Sequence, residues 1–256
     1  MCAANEWLDK QLDHRTIREF KDQAVPEEIV DQLAEVAMRT ATSEGMQMAS
    51  IIRVKDPDKR HAIAEVGKQE YIARAPELWI FLVDTYRNQQ IAEREGRENL
   101  AAHQLERFLQ GYSDAVLMAQ NVNNAVESLG MGAVFLGSIQ NNMGQMIDIL
   151  DLSPLTAPVL GLAFGEPNQS PQLKPRMPKT LRFFEDTYHL PEDAESLLED
   201  YDQEMTTYYD LRDANRRVDS FFKQVGDKME NRRPRREALI DDLRKQGFNL
   251  IRDREE

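Results

Sequence analysis

The stretch SDAVLMAQNVNNAVESLGMGAVFLGS, Ser113 to Ser138, constrains the fold more than any other part of the chain. Ala115, Met118, Ala119, Val122, Val126 and Leu129 recur at helical spacing and predict an amphipathic helix with one apolar stripe. Ser113 suits the N-cap of that helix, and Gly130 suits the left-handed position that closes one. A strand, AVFLG, follows directly.

The flanking sequence supplies further elements of both kinds. PEEIVDQLAEVAMR, Pro26 to Arg39, opens with a proline suited to a first turn and carries Ile29, Leu33, Val36 and Ala37 along one helical face. SIIRV reads as a strand and DPDKRHAIAEVG as a short helix ending at Gly67. APELWIFLVD is apolar without alternation, the pattern of a buried strand, with Trp79 in the core, and PVLGLAFGEP reads as another strand. Helices and strands thus intermingle over about residues 10–180 without the regular alternation of a doubly wound sheet. Beyond about residue 190 the chain turns to charged helix formers interrupted by Pro234. The predicted organisation is an α+β core over residues 1–185 and a helical excursion over 186–256.

Composition narrows the function. No apolar run approaches the roughly 20 residues needed to cross a bilayer, and no secretory leader pattern is seen. The single cysteine, Cys2, rules out an intramolecular disulfide, so a soluble protein of the reducing cytoplasm is expected. A net charge of −13 argues against binding nucleic acid or anionic lipid. There is no phosphate loop with GKS or GKT and no HExxH. GMGAVF lacks the third glycine and the strand-before-helix order of a dinucleotide fingerprint. Four histidines and one cysteine, all scattered, predict no metal site. His61 and His103 fall in charged stretches expected to be exposed.

Against this acidic background two cationic clusters stand out. HRTIR places His14, Arg15, Thr16 and Arg18 together, and Arg15 and Arg18 share a side if the segment makes a helical turn. In LKPRMP, Pro175 favours an extended path on which Lys174 and Arg176 point the same way. Both clusters suit a phosphate dianion, which needs several charge-assisted donors. Solvated surface charge is the other reading of each, and spacing alone does not show that they meet.

In this order the segments HRTIREF, SIIRV, APELWIFLVD, MAQNVNNAVESLGMGAVFLGSIQNN, GLAFGEP, LKPRMP and RRPRREALIDDLRKQGF cover most of the chain. The sequence resembles the flavin-dependent nitroreductase family, in its branch of NADPH-dependent flavin reductases and oxygen-insensitive nitroreductases. The resemblance implies an α+β fold with a central, mostly antiparallel sheet flanked by helices. It also implies an intertwined homodimer holding FMN at its interface. His14, Arg15, Thr16 and Arg18 would then lie at the FMN phosphate and ribityl end, with Lys174 and Arg176 completing the phosphate site. Thr42 would come near the flavin and Gln69 would face its polar edge. Phe135, Leu136, Gly137 and Ser138 would pass beside the ring, with the Gly137 N–H directed at N5. No side chain is required as nucleophile, acid or base. Two departures from the family pattern bear on substrate choice: Ser138 stands in place of a glycine, and Glu44 enters a serine-rich loop, where it would disfavour anionic acceptors.

From Arg212 to Arg236 nine basic residues meet four acidic ones, a local +5. The resemblance assigns Arg212, Arg216 and Arg233 to the 2′-phosphate of NADPH, a group that guanidinium reads well. The other reading of this island is a solvated helix face or a set of interface salt bridges. The expected activity is ping-pong hydride transfer from NADPH through bound FMN to small planar acceptors such as flavins, nitroaromatics or quinones. Two alternatives stand beside it: an NADH-preferring nitroreductase, and a flavin-holding regulatory protein with incidental turnover.

Overall fold

The computed structural model describes residues 5–212 and 220–250. By internal packing the chain falls into two units. The first is Met1–Ser170 together with Pro234–Glu256, and the second is Pro171–Arg233. Packing therefore cuts the chain at Pro171 and Pro234, whereas composition drew one boundary at 185. Composition registers where helix formers become dense; packing registers where the chain leaves the sheet and returns to it.

In the first unit the elements before the excursion are α1 (Glu6–Leu12), α2 (Glu27–Met38), β1 (Ala49–Arg53), α3 (Pro57–Gly67), α4 (Tyr71–Arg74), β2 (Glu77–Asp84), α5 (Tyr86–Arg94), α6 (Leu105–Ser128), β3 (Gly132–Leu136), α7 (Met143–Leu150) and β4 (Thr156–Gly165). The second unit contributes α8 (Ala194–Arg212) and α9 (Phe221–Glu230), packed around Tyr201, Met205 and Tyr208. The chain then returns to the first unit with α10 (Pro234–Glu237) and α11 (Leu239–Lys245).

The four strands form one antiparallel sheet in the order β1-β2-β4-β3. The central pair explains the unbroken apolar runs. Trp79, Phe81 and Val83 of β2 pack with α2 and α6 on one face. Leu78, Ile80 and Leu82 pack with α3 and α7 on the other. A strand covered on both sides has no solvent face, so its sequence need not alternate.

The central helix α6 starts at Leu105, eight residues before the predicted cap. Ser113 lies inside it and donates its hydroxyl to the Leu109 carbonyl, 2.8 Å away. Gly111 also lies inside the helix: a Cβ there would stand 2.8 Å from the Met48 carbonyl oxygen, so the glycine permits a close backbone approach. Gly130 does take the left-handed conformation, with φ +77°.

The returning tail completes the first core. Leu243 and Phe248 are buried, and Phe248 meets Phe108 edge-on at 5.0 Å. The Leu155 N–H donates to the Gln246 carbonyl at 2.7 Å, and the Asn249 N–H donates to that of His103 at 2.6 Å. His103 is consequently half-buried, its Nδ1 2.8 Å from the Gly247 carbonyl, and not exposed as expected. Its charged neighbours in sequence carry no information about a tail that arrives some 140 residues later.

Arg53 at the end of β1 links two carboxylates. Its guanidinium donates to both oxygens of buried Glu77, at 2.6 and 2.8 Å, and to both of Glu27, at 2.5 and 3.1 Å. Hydrogen bonds from Arg53 and then Lys55 hold the Glu27 carboxyl at about 2, below its ordinary 4.5. A depressed carboxylate adds stability above pH 4.5 and loses it as pH falls through about 2. The melting temperature should therefore drop across that window, and Glu27→Gln should flatten part of the drop. Because Glu27 is exposed the effect is modest and should shrink at high salt. Circular dichroism melts at two ionic strengths measure it; a pH profile unchanged in the variant contradicts this account.

Candidate functional site

The HRTIR segment is extended along the outer edge of β3. Thr16 bridges Ala133 in parallel, and the Ile17 N–H donates to the Ala133 carbonyl at 2.9 Å. The segment makes no helical turn, so the condition under which Arg15 and Arg18 would share a side is not met. The free edge of β3 offers backbone partners that an isolated turn would lack. Residues 18–21 are fastened in turn to the segment after β4. The Gln169 Oε1 accepts the N–H groups of Arg18 and Glu19, at 3.1 and 2.7 Å. Lys21 and Asn168 exchange backbone bonds with Glu166 and Glu19 at 2.9 Å.

His14 and Arg15 are paired with carboxylates. His14 Nδ1 lies 2.5 Å from Glu127 Oε1 near the end of α6, which leaves Nε2 for another group. Arg15 pairs with Asp13. Burial pushes the phenol of half-buried Tyr71 up, and the nearby Arg18 charge opposes it. Tyr71 and Glu127 escaped the sequence reading. Tyr71 stands two residues after Gln69, but nothing in its neighbourhood reveals a contact 53 positions away.

The end of β3 meets this group. Ser138 donates to Gln69 Oε1 at 2.7 Å, joining two of the predicted flavin-side residues. Leu136 is buried and Phe135 half-buried, whereas Gly137 is exposed, with no atom within 4 Å of where a Cβ would lie. A turn from Gly137 to Asn141 follows. Arg236 donates to the Gly137 carbonyl at 3.0 Å and forks onto Asn141 Oδ1, at 2.9 and 3.2 Å. Asn141 donates to the Val66 carbonyl at 3.2 Å. Arg236, counted above among the island cations, is thus engaged with the β3 turn.

Thr42 is not brought to this group. Its loop precedes β1, at the opposite edge of the sheet. There the buried Asp114 carboxylate accepts the N–H groups of Ser43 and Met48, at 2.8 and 3.2 Å. From Asp114 to Glu127 α6 runs about 20 Å. In the same loop Glu44 pairs with Arg107 at 2.7 Å, a hydrogen bond that holds its carboxyl below the usual range. Its charge is balanced there, which weakens the expected repulsion of anionic acceptors. Of the nearby methionines, Met48 is core and Met38 and Met46 are exposed.

In the second unit Lys174 and Arg176 are exposed in an extended segment, and Arg176 donates to the Lys174 and Pro175 carbonyls at 2.9 and 3.2 Å. Arg212 is the last residue of α8, and Arg233 is exposed immediately before α10. Arg216 lies outside the described residues. Among the described residues no group of histidine, cysteine or carboxylate side chains is arranged to hold a metal. No described helix is long and apolar enough to cross a membrane.

Comparison with known proteins gives a consistent picture. The family model described as the nitroreductase family matches residues 12–166, and its C-terminal domain matches 174–251. An FMN reductase (NADPH) of Bacillus subtilis is 33% identical over 96% of this chain and 99% of its own. An oxygen-insensitive NADPH nitroreductase of Salmonella typhimurium is 35% identical over 92% of this chain and 95% of its own. Among solved structures, the NfrA1 nitroreductase from B. subtilis superposes with a TM-score of 0.89 at 32% identity, covering 95% of this chain and 99% of that one.

Proposed function

The chain belongs to the nitroreductase family, and from that premise we propose that it is an NADPH-dependent, FMN-containing oxidoreductase. One observation carries the reading. The segment HRTIR, Gln69 and the Phe135–Ser138 stretch meet at one edge of the sheet, beside an exposed Gly137.

The residues fit such a group. The open space at Gly137 lets a flat ring approach the backbone without a Cβ in the way. Arg18 and Arg15 are half-buried cations on the flanking segment. We assign the phosphate and ribityl end to His14, Arg15, Thr16 and Arg18, with Glu127 holding the His14 ring so that Nε2 faces outward. Lys174 and Arg176 would add cations to the same phosphate, an assignment resting on the resemblance of LKPRMP. Gln69 and Ser138 orient each other beside the ring edge. Bound FMN supplies the centre that accepts and donates hydride. The chain's own residues bind, orient and leave one face accessible; none need move a proton.

The Thr42 loop precedes β1 and Gly137 follows β3, the two opposite edge strands, which supports a homodimer in which this loop reaches the flavin of the other copy. Arg212, Arg216 and Arg233 read the 2′-phosphate of NADPH. Small planar acceptors, such as flavins, nitroaromatics or quinones, follow NADPH into the same space. The lone cysteine favours the cytoplasm as its setting.

The purified protein should be yellow and should bleach on anaerobic addition of NADPH. Steady-state lines at varied acceptor should be parallel, since donor and acceptor take turns. A yellow protein that stays unbleached for many minutes would instead be a flavin-holding protein, and a colourless one that ignores added FMN would defeat the assignment altogether.

A further inference from the structure

We propose that Arg236 is a positioning residue for the hydride step: it anchors the Gly137 carbonyl, one peptide on from the N–H that faces the flavin, and does not read the NADPH phosphate. The inference rests on the FMN reading above and goes beyond it by separating one arginine from the cationic island in which it is embedded.

The geometry makes this separation. Arg236 is half-buried, and its guanidinium is spread over two acceptors of a single turn, the Gly137 carbonyl and Asn141 Oδ1. Asn141 is in turn tied to the end of α3 through the Val66 carbonyl. On the other side Ser138 is tied to Gln69, just beyond that same helix. The turn is thereby held from both flanks, and Arg236 supplies the hold on Gly137 itself.

Gly137 needs such a hold. It has no side chain to pack and open space where a Cβ would be, so its own backbone torsions are weakly restrained. A hydride transfer tolerates little misplacement of the groups around the reacting atoms. A charged donor on the Gly137 carbonyl fixes the Gly137–Ser138 peptide while β3 holds Leu136 on the other side, so the Gly137 N–H between them is confined, and the planar fork resists rotation better than a single ammonium. It also keeps a positive charge beside the ring, which favours the anionic reduced flavin.

Arg233 is the natural contrast. It is exposed and stands three positions earlier in the same RRPRR run. If both arginines were phosphate readers, removing either would weaken NADPH binding. The proposal predicts that they act on different quantities.

The test is anaerobic stopped-flow bleaching of the FMN-loaded wild type, Arg236→Ala, Arg236→Lys and Arg233→Ala proteins at varied NADPH, with the flavin midpoint potential measured in parallel. Arg236→Ala should lower the limiting bleaching rate about tenfold while half-saturating NADPH changes less than about twofold. Its potential should become more negative by about 30 mV, the tenfold shift for a two-electron couple. Added guanidinium ion should restore much of the rate, and Arg236→Lys should recover the potential more fully than the rate. Arg233→Ala should raise half-saturating NADPH and leave the limiting rate intact.

An Arg236→Ala protein that raises half-saturating NADPH at an unchanged limiting rate would make Arg236 another phosphate reader and overturn the proposal. So would a variant indistinguishable from wild type. A slow variant that guanidinium does not rescue and whose potential is unmoved would mean a purely structural role, again against it. Failure of the underlying reading looks different: the wild type itself would then take up no FMN or fail to bleach.

Discussion

Arg18→Met protein purifies with little of its flavin, its dissociation constant for FMN raised by about one to two orders of magnitude. A charge-assisted hydrogen bond contributes about 1.5–3 kcal/mol, and each 1.4 kcal/mol is about tenfold. Arg18 has this large effect because its backbone is clipped to Gln169 and its charge stands beside half-buried Tyr71. The cation is therefore held in place before any ligand arrives, and little ordering entropy offsets the bond it makes. Fluorescence titration of the apoprotein with FMN gives the constant directly. Arg74 is a useful control: it is exposed and paired with Glu19 at 3.5 Å, so Arg74→Met should bind FMN as wild type does. If Arg18→Met melts normally and keeps its affinity, Arg18 has no place at the phosphate.

The second large effect is on coenzyme choice. Arg233→Ala should raise half-saturating NADPH by about tenfold and half-saturating NADH by less than about twofold. The two coenzymes differ only in the 2′-phosphate, so a residue that reads this group must separate them. Because Arg233 is exposed, its contribution is screened, and the gap between the coenzymes should narrow as salt is raised. Arg212→Ala belongs in the same comparison. Equal losses for both coenzymes would remove the phosphate role.

The sheet was legible because its central strands are covered on both faces and so carry unbroken apolar runs that local pattern detects. The stripe of α6 was legible for a related reason, since Ala115, Met118, Ala119, Val122 and Val126 all face the core. Its first two turns were not, because a serine that suits an N-cap can equally sit inside a helix and bond back to the carbonyl four residues earlier, as Ser113 does. The residues at the candidate site were found as types and motifs, through a resemblance that orders many weak signals along the chain. Their connections were not found. His14 meets Glu127 across 113 positions, and Gly137 meets Arg236 across 99. Such pairings follow from the topology of the whole sheet and leave no trace in spacing. The extended path of HRTIR belongs with these, since a free strand edge overrides the helical turn that the charges alone would permit.

The late return of α10 and α11 to the first unit imposes an order on biosynthesis. A ribosome delivers β1 to β4 long before Leu243 and Phe248, the side chains that seal the floor beneath Phe108. Throughout that interval Phe108 on α6 lacks its apolar cover, which arrives only when α11 and Phe248 do.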